Sequence, residues 1–194
     1  MGWLTHPESP WSSVRTGLYL VGLLKQLIMM FVLLCSLTVV VLGQQTAPPI
    51  MNFLRINTEI CTGGQPTMDQ LAELKKQGVT TVINLRTPQE YDPAPEEAKA
   101  KELGMRYFNI PVAGAGPKDE QVVEFLKLTD DPKNRPAFIH CASANRVGAF
   151  WMIRRVLRDN WTMDAAKAEA DKIGLRSPNL VEFATQYVQK NKAK

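Results

Sequence analysis

The residue types best suited to chemistry fall in one short run, with His140 and Cys141 at its start and Arg146 at its end. A cysteine thiolate is a strong nucleophile, and it is stabilised near arginine or at a helix N-terminus. The planar guanidinium of arginine binds two oxygens of a phosphate. We predict that Cys141 is the nucleophile, that Arg146 holds a phosphate, and that His140 orients the loop and helps to hold the thiolate.

The residues between Cys141 and Arg146 are expected to bind the same anion. Successive main-chain N–H groups in a tight turn that leads into a helix form a concave site of positive partial charge. This predicts a covalent route in which Cys141 attacks phosphorus and water then releases the resulting thiophosphate. The predicted substrate-binding residues of the loop are Ala142, Ser143, Ala144 and Asn145.

Two predicted elements position this loop. The apolar segment PAFIH, residues 136–140, predicts a strand that ends at the loop, and apolar residues at helical spacing predict a helix from Arg146 onward. In a parallel sheet, sites lie beyond the carboxyl ends of the strands. The loop is therefore expected at that edge of a sheet.

Strands and helices alternate along the rest of the chain. Thr67 is a predicted N-cap, Gly78 a predicted helix end, and Thr162 a second N-cap. The alternation predicts a three-layer α/β/α domain with a central, mostly parallel sheet. Strands are predicted over residues 53–60, 79–85, 105–110 and 136–140, and helices over about 68–77, 95–103 and 118–128, from 146, after 162 and after 178.

The start of the chain carries a long apolar segment. Residues 18–42 are almost entirely apolar, and about 20 such residues span a bilayer. We predict that residues 1–43 are a signal peptide or a membrane anchor formed by a hydrophobic helix, residues 44–52 a linker, and residues 53–194 the domain that carries the Cys141 loop. The domain is then exported, either to the periplasm or anchored in the inner membrane through residues 18–42.

Composition excludes several classes of function. The net charge is +4, and it falls to +3 without residues 1–43, which suits an anionic small substrate better than a nucleic acid. Three cysteines and two histidines show no zinc spacing, so neither a metal nor an organic cofactor is expected. In an oxidising compartment Cys61 and Cys141 could pair.

The loop HCASANRVG resembles the signature of cysteine-dependent protein tyrosine and dual-specificity phosphatases. More closely, the segments GGQPTMDQLAELKKQGVTTVINLR and HCASANRVGAFW are similar to the bacterial phosphatase-like domains called beta-lactamase-hydrolase-like, formerly DUF442. The resemblance covers about residues 60–160. It implies the phosphatase fold and hydrolysis of a phosphoric monoester.

The sequence departs from the tyrosine phosphatase pattern at three places. Four residues rather than five separate Cys141 from Arg146, a length that rhodanese-type sulfurtransferases share. Val147 stands where Ser or Thr aids departure of the thiolate. Ala113 and Gly114 occupy the place of the general acid, so Asp119 is predicted to protonate the leaving group instead.

Two further residues are assigned to the substrate side of the site. Gln65, in the GGQP turn, is predicted to face the loop and position water, and Arg86, expected to form an ion pair with Glu90, helps to define the pocket. A sulfurtransferase or persulfide carrier and a non-catalytic phospholigand-binding module remain alternative functions. The substrate stays open among phosphotyrosine proteins, nucleotides, phospholipids and phosphosugars.

Overall fold

The computed structural model of the protein describes residues 25–26 and 49–192. Apart from residues 25–26, the predicted leader, residues 1–43, lies outside the described residues, as does most of the predicted linker, residues 44–52. Within the described ranges, no helix is both long and apolar enough to cross a membrane. The role of residues 1–43 as a signal or anchor, and the export of the domain, therefore stay predictions.

In the described part of the chain, five strands form one mixed sheet with the order β1-β2-β5-β3-β4. The edge strand β1 pairs antiparallel with β2, whereas β2, β5, β3 and β4 run parallel to one another. The central parallel part of the sheet thus agrees with the prediction. The strands are β1 (Leu54–Arg55), β2 (Ile60–Gly63), β3 (Thr81–Asn84), β4 (Arg106–Asn109) and β5 (Ala137–His140).

Helices follow the strands with the caps that the sequence predicts. The Thr67 hydroxyl accepts from the Gln70 N–H at the start of the first described helix, and the Thr162 hydroxyl accepts from the Ala165 N–H. Gly78 has φ 91°, the left-handed conformation that ends a helix. The helices are α1 (Met68–Lys76), α2 (Ala94–Glu102), α3 (Asp119–Asp130), α4 (Asn145–Leu157), α5 (Met163–Ile173) and α6 (Pro178–Lys192).

Both faces of the sheet are covered, because side chains along each strand alternate between two apolar clusters. On β5, Ala137 and Ile139 belong to the larger cluster with α3 to α6, and Phe138 belongs to the smaller cluster with α1 and α2. The two clusters make the sheet the middle of three layers. This arrangement leaves the carboxyl edge of the strands as the place for a site.

One predicted strand is divided in the structure. The sequence predicts a single edge strand over residues 53–60, but a turn at Asn57 separates β1 from β2. The Asn57 side chain accepts hydrogen bonds from the N–H groups of Glu59 and Ile60, at 2.9 and 2.8 Å. Asparagine stabilises turns in this way, so the apolar pattern was interrupted by local turn chemistry.

We expect Gly148→Ala to lower the free energy of unfolding by about 1–3 kcal/mol, the usual cost of overpacking. Gly148 lies on α4, and a Cβ there would sit 2.8 Å from the Leu175 Cβ and 2.9 Å from the Ala170 carbonyl oxygen. Urea denaturation measures the change. Gly116→Ala is the matched control, because no atom lies within 4 Å of its added Cβ. Equal stability of the two variants would contradict this close packing.

Candidate active site

The loop of interest joins β5 to α4 at the carboxyl edge of the parallel strands. His140 ends β5, its carbonyl accepts a hydrogen bond from the Leu85 N–H at 2.8 Å, and Asn145 begins α4. Cys141 is 1% exposed and contacts the larger apolar cluster. The strand, loop and helix predicted around Cys141 are confirmed.

The main chain of the loop offers free hydrogen-bond donors. Ala144 has φ 64° and ψ 2°, a left-handed conformation that turns the chain into α4. The N–H groups of Ser143, Asn145 and Arg146 donate to no described protein group. Unsatisfied N–H groups at a helix start carry positive partial charge and bind anions. These donors can therefore bind the oxygens of a phosphate.

Two asparagines that are distant in sequence hold this loop in place. The Asn52 side chain donates to the Ser143 carbonyl at 3.0 Å. The Asn145 side chain accepts from the N–H groups of Arg176 and Ser177, at 3.0 and 3.2 Å, and so ties the start of α4 to the link between α5 and α6. Substrate binding by Asn145 stays a prediction, for which its main-chain N–H remains available.

Arg146 is buried and reaches across the carboxyl edge of the sheet. Its Nη1 donates to the carbonyls of Leu85 and Val112, at 3.3 and 2.7 Å, and to the Glu90 carboxylate at 2.7 Å. All three bonds leave from Nη1, and its Nε and Nη2 have no partner among the described residues. One nitrogen thus anchors the side chain, and the others remain for an anion.

The ion pair predicted between Arg86 and Glu90 is wrong, because the Glu90 carboxylate pairs with Arg146 instead. The Arg86 Nη2 donates to the main-chain carbonyl of Glu90 at 2.9 Å, while the Glu90 carboxylate binds Arg146 and the Thr87 N–H. A turn explains the difference: the Glu90 N–H donates to the Thr87 carbonyl at 3.0 Å, and the chain curls so that the carboxylate faces Arg146.

The contacts of Glu90 alter its titration. Partial burial raises the pKa of the Glu90 carboxyl, but hydrogen bonds from Arg146 and Thr87 outweigh burial and leave the pKa below its ordinary value. A carboxyl with a lowered folded-state pKa contributes stability above its unfolded pKa and loses it as the pH falls through the folded value.

We therefore expect Glu90→Gln to destabilise the protein most above about pH 5.5, well above the ordinary pKa of glutamate. The difference in unfolding free energy from the parent should then shrink steadily toward about pH 3. Denaturant titrations at each pH measure it. Glu124→Gln, at an exposed position on α3, serves as the control and should show no such dependence. A Glu90→Gln difference that does not vary with pH would contradict the lowered pKa.

Gln65 lies beside the loop, as predicted, but its side chain is already occupied. Its main-chain N–H donates to the Ala142 carbonyl at 3.2 Å. Its side-chain Nε2 donates to Glu96 at 2.9 Å, and its Oε1 accepts from Arg86 at 3.1 Å. Positioning of water by Gln65 stays a prediction, since both ends of its amide hold protein groups.

Sequence reasoning missed Glu96. The Glu96 carboxylate on α2 is fully buried, and its Oε1 lies 2.7 Å from the Nε2 of His140, which is also fully buried. The segment APEEAKAKE looks like a solvated helix, because charged residues fill most of its positions. The one local signal is the spacing of Glu96 from the buried Ala100, which places both on one face of α2.

Asp119 is placed at the start of α3, where its carboxylate accepts from Lys190 on α6 at 2.6 Å. No described contact joins Asp119 to the Cys141 loop. Its role as general acid stays a prediction. The ion pair with Lys190 shows that Asp119 also joins two helices at the surface.

The cysteines and acidic groups show no sign of metal binding in the part of the chain that is described. Within residues 25–26 and 49–192, no three His, Cys, Asp or Glu side chains lie together so as to hold a metal ion. Cys61 and Cys141 are both free, so the disulfide considered from the sequence is not formed. Burial raises the pKa of Cys61 to about 11.

Three comparisons place these features among known proteins. Residues 37–188 match the family model described as DSP-PTPase phosphatase fused to NAD+ kinase. A beta-lactamase hydrolase-like protein of Xylella fastidiosa is 25% identical over 122 residues, which cover 61% of this chain and 28% of that protein. The chain thus matches little more than a quarter of this curated relative.

Solved structures share the fold. A DUF442 protein from Shewanella putrefaciens is 26% identical, with a TM-score of 0.62 over 73% of this chain and 91% of that one. TpbA of P. aeruginosa, in complex with pTyr, is 21% identical, with a TM-score of 0.58 over 75% of this chain and 87% of that one. At that identity, the second likeness concerns the fold alone.

Proposed function

Since the chain belongs to the family described as DSP-PTPase phosphatase fused to NAD+ kinase, within the cysteine-dependent phosphatases, we propose that it hydrolyses a phosphomonoester through a thiophosphate on Cys141. One observation carries the proposal: the guanidinium of Arg146 is anchored through Nη1 at the edge of the sheet where Cys141 lies. Its remaining nitrogens and the free N–H groups of the loop supply donors for three phosphoryl oxygens.

In the first step, the thiolate of Cys141 attacks phosphorus and the bond to the leaving oxygen breaks. The leaving alkoxide or phenoxide takes a proton from a general acid, for which Asp119 is the proposed residue. The loop N–H groups and Arg146 bind the oxygens on which negative charge develops. Such preorganised donors stabilise a transition state because they need no reorientation during the reaction.

In the second step, water attacks the thiophosphate, inorganic phosphate leaves and the thiolate of Cys141 is restored. Val147 follows Arg146 and has no hydroxyl, so it cannot donate a hydrogen bond to the departing sulfur. We infer that hydrolysis of the intermediate is the slower step. A burst of alcohol release before the steady state is the kinetic sign of such an order.

Release of inorganic phosphate from p-nitrophenyl phosphate and from a phosphotyrosine peptide tests this function. An aryl phosphate is the first choice, because pTyr is the ligand bound in TpbA, which shares the fold. We expect turnover of at least one of the two without added metal. Binding of phosphate with no turnover of either compound would instead favour a non-catalytic phospholigand-binding module.

The spacing of four residues between Cys141 and Arg146 favours one second candidate, a sulfurtransferase that carries a persulfide on Cys141. Formation of thiocyanate from thiosulfate and cyanide measures that activity. The phosphatase proposal expects no thiocyanate above the rate without protein. Thiocyanate formation that depends on Cys141, with no phosphate release, would favour the sulfurtransferase.

We propose that the domain acts outside the cytoplasm, because the apolar segment of residues 18–42 has the length and composition of an export signal or anchor. Cell fractionation followed by sequencing of the mature N-terminus distinguishes the two forms. A chain that begins at Gln44 indicates a cleaved signal, and an intact chain in the membrane fraction indicates an anchor. Recovery of an intact chain in the cytosol would contradict export.

A further inference from the structure

A turn of residues 50–53 lies next to the Cys141 loop. The Phe53 N–H donates to the Ile50 carbonyl at 3.1 Å and closes the turn. Asn52 has φ 51° there, a left-handed conformation that asparagine adopts more readily than most other residues. The turn alone therefore accounts for an asparagine at this position, but it does not account for the direction of the side chain.

The side-chain amide of Asn52 is directed at the Cys141 loop. Its Nδ2 donates to the Ser143 carbonyl at 3.0 Å. Gly174, which follows α5, packs closely against this hydrogen bond, because a Cβ on Gly174 would lie 3.2 Å from both the Asn52 Nδ2 and the Ser143 carbonyl oxygen. The amide is thus held between the loop and the end of α5.

A second contact holds the preceding peptide unit of the loop. Gly64 and Ser143 form an isolated antiparallel bridge, beside which the Gln65 N–H donates to the Ala142 carbonyl at 3.2 Å. The carbonyl and the N–H of one peptide unit point in opposite directions, because the unit is planar and trans. The Ser143 N–H shares a unit with the Ala142 carbonyl, so it points away from Gln65, and it has no partner among the described residues.

The peptide unit between Ser143 and Ala144 is the strained part of the loop. Ala144 has φ 64° and ψ 2°, and this left-handed conformation is unfavourable for a residue with a Cβ. The hydrogen bond from Asn52 fixes the carbonyl of the same unit, so it opposes the rotation that would relieve the strain. The N–H groups of Asn145 and Arg146 follow directly, and their direction depends on the conformation of Ala144.

We propose that Asn52 is a positioning residue, whose side-chain amide holds the Ser143 carbonyl and so keeps the free N–H groups of the loop arranged for the phosphoryl oxygens. The inference rests on the proposed function, because it concerns the same anion site. A loop that is already ordered in the free protein binds an anion without the cost of ordering. Asn52 acts through Ser143 and does not touch the substrate.

Asn52→Gly in the full chain separates this role from that of a turn residue. Glycine adopts a positive φ without steric cost, so the turn keeps its conformation and only the amide is lost. We expect Kd for inorganic phosphate, measured by calorimetry, to rise by about three- to tenfold, the usual effect of losing one hydrogen bond. The kcat/KM for p-nitrophenyl phosphate should fall by the same factor, chiefly through KM, because both ligands must first order the loop.

Asn160→Gly is the matched control. Asn160 is exposed, has a similar φ of 56°, and lies in the link after α4, at the opposite end of that helix from the loop. Its replacement should change neither Kd nor kcat/KM. A folded Asn52→Gly protein with the parental values of both would overturn the inference. A parent protein that neither binds phosphate nor turns over p-nitrophenyl phosphate would instead count against the proposed function.

A second substitution tests whether the amide acts through the left-handed residue. Glycine in place of Ala144 populates that conformation more than alanine does, so the loop depends less on Asn52. In the Ala144→Gly background, we expect Asn52→Gly to raise Kd for phosphate by less than about twofold, because two changes that act on one element are not additive. A rise as large as in the parent background would overturn the coupling between Asn52 and Ala144.

Discussion

Cys141→Ser should lose at least about a thousandfold in the turnover of an aryl phosphate, because a serine hydroxyl at neutral pH is a far weaker nucleophile than a thiolate. Cys141 is 1% exposed, and serine is close to cysteine in size, so the fold should persist. The free N–H groups of the loop and Arg146, which are the donors proposed to bind phosphate, are unchanged in this variant. Kd for phosphate, measured by calorimetry, should therefore stay close to that of the parent.

Cys61→Ala is the matched control for this prediction. Cys61 is as buried as Cys141 but lies in the smaller apolar cluster, where its thiol contacts the Ala137 carbonyl at 3.6 Å. We expect Cys61→Ala to keep its turnover. If Cys141→Ser kept more than a few per cent of the parent activity while Cys61→Ala lost it, the assignment of the nucleophile would be wrong.

Arg146→Lys should lower kcat/KM by about 10²–10⁴-fold, even though the positive charge remains. An ammonium group cannot hold the carbonyls of Leu85 and Val112 and at the same time present two parallel N–H groups to a phosphate. Loss of a single preorganised donor already costs about 10²–10³ in kcat. Both kcat and the affinity for phosphate should fall, because Arg146 is proposed to bind the anion before and during the reaction.

Arg158→Lys provides the comparison for Arg146→Lys. Arg158 follows α4, is exposed and pairs with Asp130 at 2.8 Å, so its replacement should leave kcat/KM unchanged. Circular dichroism must show that Arg146→Lys remains folded, because the change leaves buried carbonyls with fewer donors. A folded Arg146→Lys protein with parental kcat/KM would show that the guanidinium does not bind the reacting phosphate.

The elements around the site could be predicted from the sequence because their signals are local. PAFIH is an apolar strand, Thr67 and Thr162 are caps, and Gly78 takes the left-handed conformation that only glycine adopts without cost. The position of Cys141 at the carboxyl edge then follows from the handed crossovers of a parallel sheet. The site's location required no knowledge of long-range contacts.

The partners of the site residues could not be predicted in the same way. The contact of Asn52 with Ser143 joins residues 91 positions apart, and Arg146 finds Glu90 across 56 positions. Such pairs depend on which loops meet at the edge of the sheet, and no local pattern encodes that. The ion pair predicted for Arg86 and Glu90 failed for this reason: proximity in sequence favoured the wrong partner.

A buried acidic residue was the second source of error. A glutamate in a helix rich in lysine and glutamate is normally solvated, and Glu96 differs from Glu97 only in the face of α2 on which it lies. A carboxyl group is rarely buried unless a polar partner faces it. His140 at the end of β5 faces Glu96, with 2.7 Å between Nε2 and Oε1, and only the packed structure reveals this contact.

Direct detection of a phosphoryl group on Cys141 tests the central claim most sharply. Acid quench of the full chain within milliseconds of mixing with p-nitrophenyl phosphate, followed by mass spectrometry of the Cys141 peptide, measures the intermediate. We predict a phosphorylated Cys141 that accumulates before the steady state, since the proposed route makes its hydrolysis the slower step in the absence of a hydroxyl at Val147. Turnover with an unmodified Cys141 peptide at every time point, or a phosphoryl group on another residue, would contradict the account.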